Sequence, residues 1–214
     1  MDAVLVGHSF IRRLQGAHLP GLKNNITTRP VGQQFAQSLR VDHHYTAVHT
    51  YCHGINMIQD LKNLPSFLKN YGISPGIIVL DIGSNDLAHL KSLDVNICLE
   101  LAVNIADIAE HYINTRLCRT VICHSILPRA HRIETSPGTF LSLVKNVNHF
   151  LKQLCDTTPG FFYSRLRGFL DQNITQWSTD GIHCDKDNYQ KYSARTRHSL
   201  LLHAESAAAK QGQS

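Results

Sequence analysis

Short apolar runs alternate along this chain with longer stretches of helical spacing. "AVLVG" at the start, "YTAVHTY" near 45–51, "GIIVLDIG" at 76–83 and "RTVICHSI" at 119–126 each set a block of aliphatic residues between polar or turn-forming positions. Runs of this length and type predict strands buried on both faces. "GFFYS" at 160–164 is a weaker fifth candidate. In "INMIQDLKNLPSFLKNYG", Ile55, Ile58, Leu61 and Leu64 recur every third residue and Gly72 stands where a C-cap glycine belongs, which predicts a helix. "DVNICLELAVNIADIAEHYINT" predicts a long amphipathic helix with Asp94 as its N-cap. "TFLSLVKNVNHFLKQLCD" and "KDNYQKYSARTRHSLLLHAESAAA" predict two more, and "FIRRLQG" can begin another after the first strand. Strands alternating with helices argue for parallel β-α-β units with helices on both faces of a sheet. No repeat or linker interrupts the pattern, so residues 1–209 are expected to form one domain, with 210–214 as a frayed tail.

Composition narrows the class. The 214 residues are 43% hydrophobic and 17% charged, a balance that suits one sizeable core and excludes general disorder. No apolar run approaches the roughly 18 residues that span a bilayer. "MDAVLVGHSF" has no basic segment before its apolar residues and reads as a strand rather than a signal peptide, so the expected compartment is the cytoplasm. The six cysteines include no CxxC pair, and they are expected to be reduced thiols. The net charge of +5 is spread along the chain; "IRRL" and "YSRLRGFL" could form a basic patch, although solvated helix faces account for them equally well. Nucleic acid is therefore an allowed partner to which nothing in the sequence points, and oligomeric state leaves no signature.

In a parallel α/β sheet, ligands gather at the carboxyl ends of the strands. Those ends carry Gly7-His8-Ser9, the "CHG" that contains Gly54, Gly83-Ser84-Asn85-Asp86, and "CHSILPR". Ser9 ends a strand and precedes a helix, where backbone N–H groups can face a developing anion. Taken alone it reads more readily as a plain helix cap. Asn85 can donate its side-chain amide to an oxyanion, and Gly54 can offer a backbone N–H with no Cβ in the way. A serine hydroxyl is a weak nucleophile near neutral pH and needs a base within hydrogen-bond reach. "STDGIHCD" supplies one: His183 can take the proton, and Asp180 can fix its tautomer and stabilise the imidazolium. Each residue is a weak signal alone; their conjunction is not.

Taken in order, "VLVGHSF", "YCHGINM", "LDIGSNDL" and "STDGIHCDKDNYQKY" resemble the four blocks of the SGNH, or GDSL-like, hydrolases and span residues 4 to about 192. The resemblance implies a flavodoxin-like three-layer α/β/α sandwich with five parallel strands in the order 2-1-3-4-5. It also implies ester hydrolysis through an acyl-serine intermediate. Ser9, His183 and Asp180 would form the triad, and Ser9, Gly54 and Asn85 the oxyanion hole. The "GHSF" variant is similar, over a shorter match, to esterase domains carried by some non-LTR retrotransposons. The family has Asp before the nucleophile where this chain has His8, which changes how that loop is braced. Asp86 matches the family pattern and is expected to brace as well.

The expectation is a serine hydrolase of small carboxylic esters such as acetates, with no metal and no cofactor. A non-catalytic or nucleic-acid-associated module on the same fold is the alternative. A metal-dependent hydrolase using histidines such as His43 and His44 has no carboxylate–histidine spacing to support it.

Overall fold

Strand Asp2–Gly7 (β1) lies second from the edge of a five-stranded, all-parallel sheet, between Ala47–Tyr51 (β2) and the central strand Pro75–Asp81 (β3); Thr120–His124 (β4) and Phe161–Ser164 (β5) extend it to the far edge. The order is β2-β1-β3-β4-β5, the expected 2-1-3-4-5 arrangement. The computed structural model describes residues 1–7, 9–20, 29–52, 57–129, 133–169, 182–183 and 185–209.

Alternation along the strands divides the interior in two. Val4 and Val6 of β1, Ile78 and Leu80 of β3 and Val121 of β4 face one way. They pack under helices Leu64–Asn70 (α3), Ser84–Ala88 (α4), Val95–Asn114 (α5) and Pro137–Thr157 (α6). Ala3, Leu5, Ile77, Val79 and Ile122 face the other way, under Ser9–His18 (α1), Arg29–Ser38 (α2) and Lys186–Ala209 (α7). Most strand side chains are therefore fully buried, which is why the strands read as continuous apolar runs and not as alternating ones.

Local chemistry explains most element boundaries. The Asp94 carboxylate accepts from the backbone N–H of Asn96 at 2.8 Å, starting α5 at the predicted cap. Helix α6 starts two residues earlier than its apolar spacing suggested. Pro137 occupies the first turn, and the Ser136 hydroxyl accepts from the Thr139 N–H at 3.1 Å. The single helix predicted over the threefold repeat is instead a 3₁₀ segment, Ile58–Asn63, followed by α3. An exact period of three suits a 3₁₀ helix better than an α-helix. Gly72 follows it at φ +61°, a left-handed conformation that favours glycine.

Candidate active site

Two glycines shape the carboxyl edge of the sheet. A Cβ on Gly7 would lie 2.6 Å from the Asp81 carbonyl oxygen and 2.8 Å from Ile11 Cγ1, so only glycine lets β1 end this close to β3. Gly83 sits at φ +94°, turning the chain out of β3 and into α4, where Ser84 and Asn85 form the first turn.

Ser9 is the first residue of α1 and half-buried. Its Oγ lies 2.6 Å from Nε2 of His183, a residue 174 positions away in sequence. The His183 side chain is buried against Phe10, with ring centroids 5.5 Å apart. Phe10 in turn packs on Tyr192 of α7 at 5.6 Å, so the imidazole rests on an aromatic floor shared by α1 and α7. Beneath that floor the Tyr192 hydroxyl donates to the Asp81 carboxylate at the end of β3. His124 ends β4 fully buried, with Nδ1 3.9 Å from the same carboxylate. Among the described residues, neither nitrogen of His124 has a hydrogen-bond partner.

Asn85 is held by a residue that the motifs did not name. The Arg129 guanidinium donates through Nη2 to Asn85 Oδ1 and through Nε to Ser84 Oγ, the latter at 2.7 Å. A guanidinium has no acceptor, so the amide atom facing it must be the oxygen, which turns the Asn85 NH₂ to the opposite side. Arg129 is only 5% exposed, unusual for an arginine and consistent with a fixed, doubly bonded fork. The signal lay in "CHSILPR": an arginine a few residues past a strand end. Next to Asn85, Asp86 Oδ1 accepts from the Ile58 N–H at 3.2 Å and ties α4 to the 3₁₀ segment. Burial pushes the Asp86 carboxyl above the ordinary aspartate range, against the lowering effect of that bond.

Of the residues singled out in the sequence, Ser9 and His183 are thus in contact, and Asn85 stands at the end of the neighbouring strand. Gly54, Asp180 and His8 lie outside the described residues. Among the described residues no group of three or more His, Cys, Asp or Glu side chains is placed to hold a metal ion. The rings of His43 and His44 lie 4.3 Å apart, tilted by 49° to each other. Cys52, Cys98, Cys118, Cys123 and Cys155 are free thiols. No described helix is long and apolar enough to cross a membrane.

No family model matches the chain. Among curated proteins it is similar to the "Invasion chromosome antigen T" of Shigella flexneri serotype 5a, 28% identical over 109 residues. That match covers 50% of this chain and 27% of the Shigella protein, so the chain spans well under two thirds of that relative's length. Solved structures share the whole architecture. A GDSL-like lipase from Bacteroides thetaiotaomicron aligns over 94% of this chain and 87% of its own, with TM-score 0.58 and 17% identity. The family 3 carbohydrate esterase of Clostridium thermocellum aligns over 96% and 98%, with TM-score 0.57 and 13% identity. An acetyl esterase solved with acetate ion aligns over 96% and 99%, with TM-score 0.56 and 12% identity.

Proposed function

We propose that this chain, which has the SGNH hydrolase fold, is a serine esterase that cleaves small carboxylic esters, acetates foremost, through an acyl-serine intermediate. The observation that carries the reading is the 2.6 Å separation of Ser9 Oγ and His183 Nε2 at the carboxyl edge of the sheet, where an α/β fold presents its ligands.

In this mechanism the Ser9 hydroxyl donates its proton to His183 Nε2 as Oγ attacks the ester carbonyl carbon. The carbonyl oxygen becomes an oxyanion. It is met by the backbone N–H of Ser9 at the start of α1, by the Asn85 NH₂ that Arg129 turns outward, and by the N–H of Gly54. The tetrahedral intermediate collapses, the C–O bond to the alcohol breaks, and the imidazolium returns the proton to the departing alkoxide. Water then attacks the acyl-serine with His183 again as base, releasing the carboxylic acid and restoring Ser9. Asp180, three residues before His183 in sequence, is assigned the role of fixing the imidazole tautomer and stabilising the imidazolium. The acetyl esterase and the carbohydrate esterase among the similar structures favour acetate as the acyl group.

The test is covalent. A fluorophosphonate probe should label the native chain at Ser9, identified by peptide mass spectrometry, and p-nitrophenyl acetate should be turned over. Ser9→Ala should abolish both. An unlabelled native chain would leave the fold as a non-catalytic module.

A further inference from the structure

The basic stretch "IRRL" has no part in the ester chemistry described so far, yet it lies on the helix that Ser9 begins. Residues three apart on an α-helix share a face, with Cβ atoms roughly 5–6 Å from each other. Arg12 therefore stands one turn behind Ser9. A long side chain on a helix leans toward the N-terminus, which here carries the guanidinium back over the turn that holds the serine. The buried residues of α1, Phe10, Ile11, Leu14 and Gln15, belong to the opposite face. Arg12 is exposed, and among the described residues it forms no ion pair. Arg13 shares the exposed face but is engaged in an interaction of its own.

The surroundings show where the Arg12 charge acts. Burial pushes the Cys52 thiol up to about 11, and the Arg12 guanidinium works against that rise. Cys52 directly follows β2, so the charge is felt at the carboxyl edge of the sheet, where β2 runs beside β1. One turn beyond Arg12, Gly16 continues the same face, and a Cβ built there would meet no atom within 4 Å. Helix α1 thus presents an open shelf that runs from the nucleophile past a cation to a position with no side chain. In an acetate ester the acyl group is minimal and the bulk of the molecule is its alcohol, which this shelf has room to receive. The N-terminus of α1 adds partial positive charge beside Ser9. A cation next to the nucleophile draws in and holds a substrate that brings a negative charge.

We propose that Arg12 is a specificity-determining residue and that the site prefers acetate esters whose alcohol part carries an anionic group. The proposal rests on the esterase reading of Ser9 and adds to it the charge of the substrate.

Steady-state rates near neutral pH with 3-acetoxybenzoate and with its neutral methyl ester test it, each kcat/KM being divided by that ester's rate of alkaline hydrolysis. The native chain should favour the anionic ester by about three- to tenfold, the range for one exposed charge contact. Arg12→Gln should bring the ratio to about one, Arg12→Glu should invert it, and Arg12→Lys should keep most of it. Raising the ionic strength from about 0.01 M to about 1 M shortens the Debye length from about 30 Å to about 3 Å and should compress the native ratio. Arg40→Gln, beside the other end of α1, should leave the ratio unchanged, which separates a local contact from net charge. The proposal is overturned by a native ratio of about one, by an Arg12→Gln ratio equal to the native one, or by an equal loss in Arg40→Gln. If neither ester is cleaved, the esterase reading itself fails. Binding of 3-acetoxybenzoate to the native chain and to Arg12→Gln, followed by ligand-observed NMR, then decides the proposal, which falls if the two bind alike.

Discussion

Arg129 offers the most demanding check on how Asn85, the proposed oxyanion donor, is held. Arg129→Met keeps most of the buried stem and removes both hydrogen bonds from the guanidinium, to Asn85 Oδ1 and Ser84 Oγ. A hydrogen bond to a charged group contributes roughly 1.5–3 kcal/mol, so two of them bound the stability loss at about 3–6 kcal/mol. Methionine removes the buried charge as well, which returns part of that amount, so about 2–3 kcal/mol is expected. The kinetic effect has a different ceiling. Deleting one oxyanion donor costs about a hundred- to a thousandfold in kcat, and that is the expectation for Asn85→Ala. Without Arg129 the amide keeps its donor but loses what orients it, so a smaller loss of roughly ten- to a hundredfold follows, in kcat rather than KM. Arg129→Lys should recover part of this, because an ammonium can serve one acceptor but cannot fork across two. The double-mutant cycle decides the matter on folded proteins with p-nitrophenyl acetate. In an Asn85→Ala background, Arg129→Met should cost little more in rate. Fully additive losses would refute the reasoning, since Arg129 would then act on the reaction by a route other than Asn85.

His183→Ala should remove nearly all activity, whereas His8→Ala should cost no more than several-fold in steady-state rate; the reverse pattern would move the base to His8. Gly7→Ala should destabilise the fold by about 1–3 kcal/mol in urea titration, because its Cβ meets a backbone oxygen of β3 that cannot rotate away. Burial holds the imidazoles of His18 and His203 below their ordinary range. The unfolded chain therefore binds protons more readily, and stability present above about pH 6.5 should fall as the pH drops through that range. Thermal melts across that interval should show the fall, and His18→Gln should lessen it.

The sheet was legible because its strands are buried on both sides, and continuous aliphatic runs such as "GIIVLDIG" have few other uses in a chain of this type. Strand order was not readable from the runs themselves; it came with the motif resemblance. Helix α2 left almost no trace, since "RPVGQQFAQS" offers few apolar residues and a glycine, and is held by Phe35 and Ala36 against β2. The contact of Ser9 with His183 followed from residue chemistry, because a hydroxyl nucleophile demands a base, whatever the separation in sequence. Arg129 could not be foreseen in the same way. Its role depends on reaching across from the end of β4 to the first turn of α4, a distance that spacing along the chain does not encode.

The 174 positions between Ser9 and His183 have a consequence for how this chain acquires its chemistry during synthesis. Strand β1 emerges first from the ribosome, but His183, the proposed base for Ser9, emerges only after four further strands and six α-helices among the described residues. A nascent chain can collapse around β1, β2 and β3 and still have no competent nucleophile. The last step also requires α7 to dock, because Tyr192 and Phe10 together form the floor on which the imidazole rests. Contacts so distant in sequence close late and slowly. Under the proposed function, ester turnover would therefore report completed folding, and a translation product stalled before residue 183 would show none.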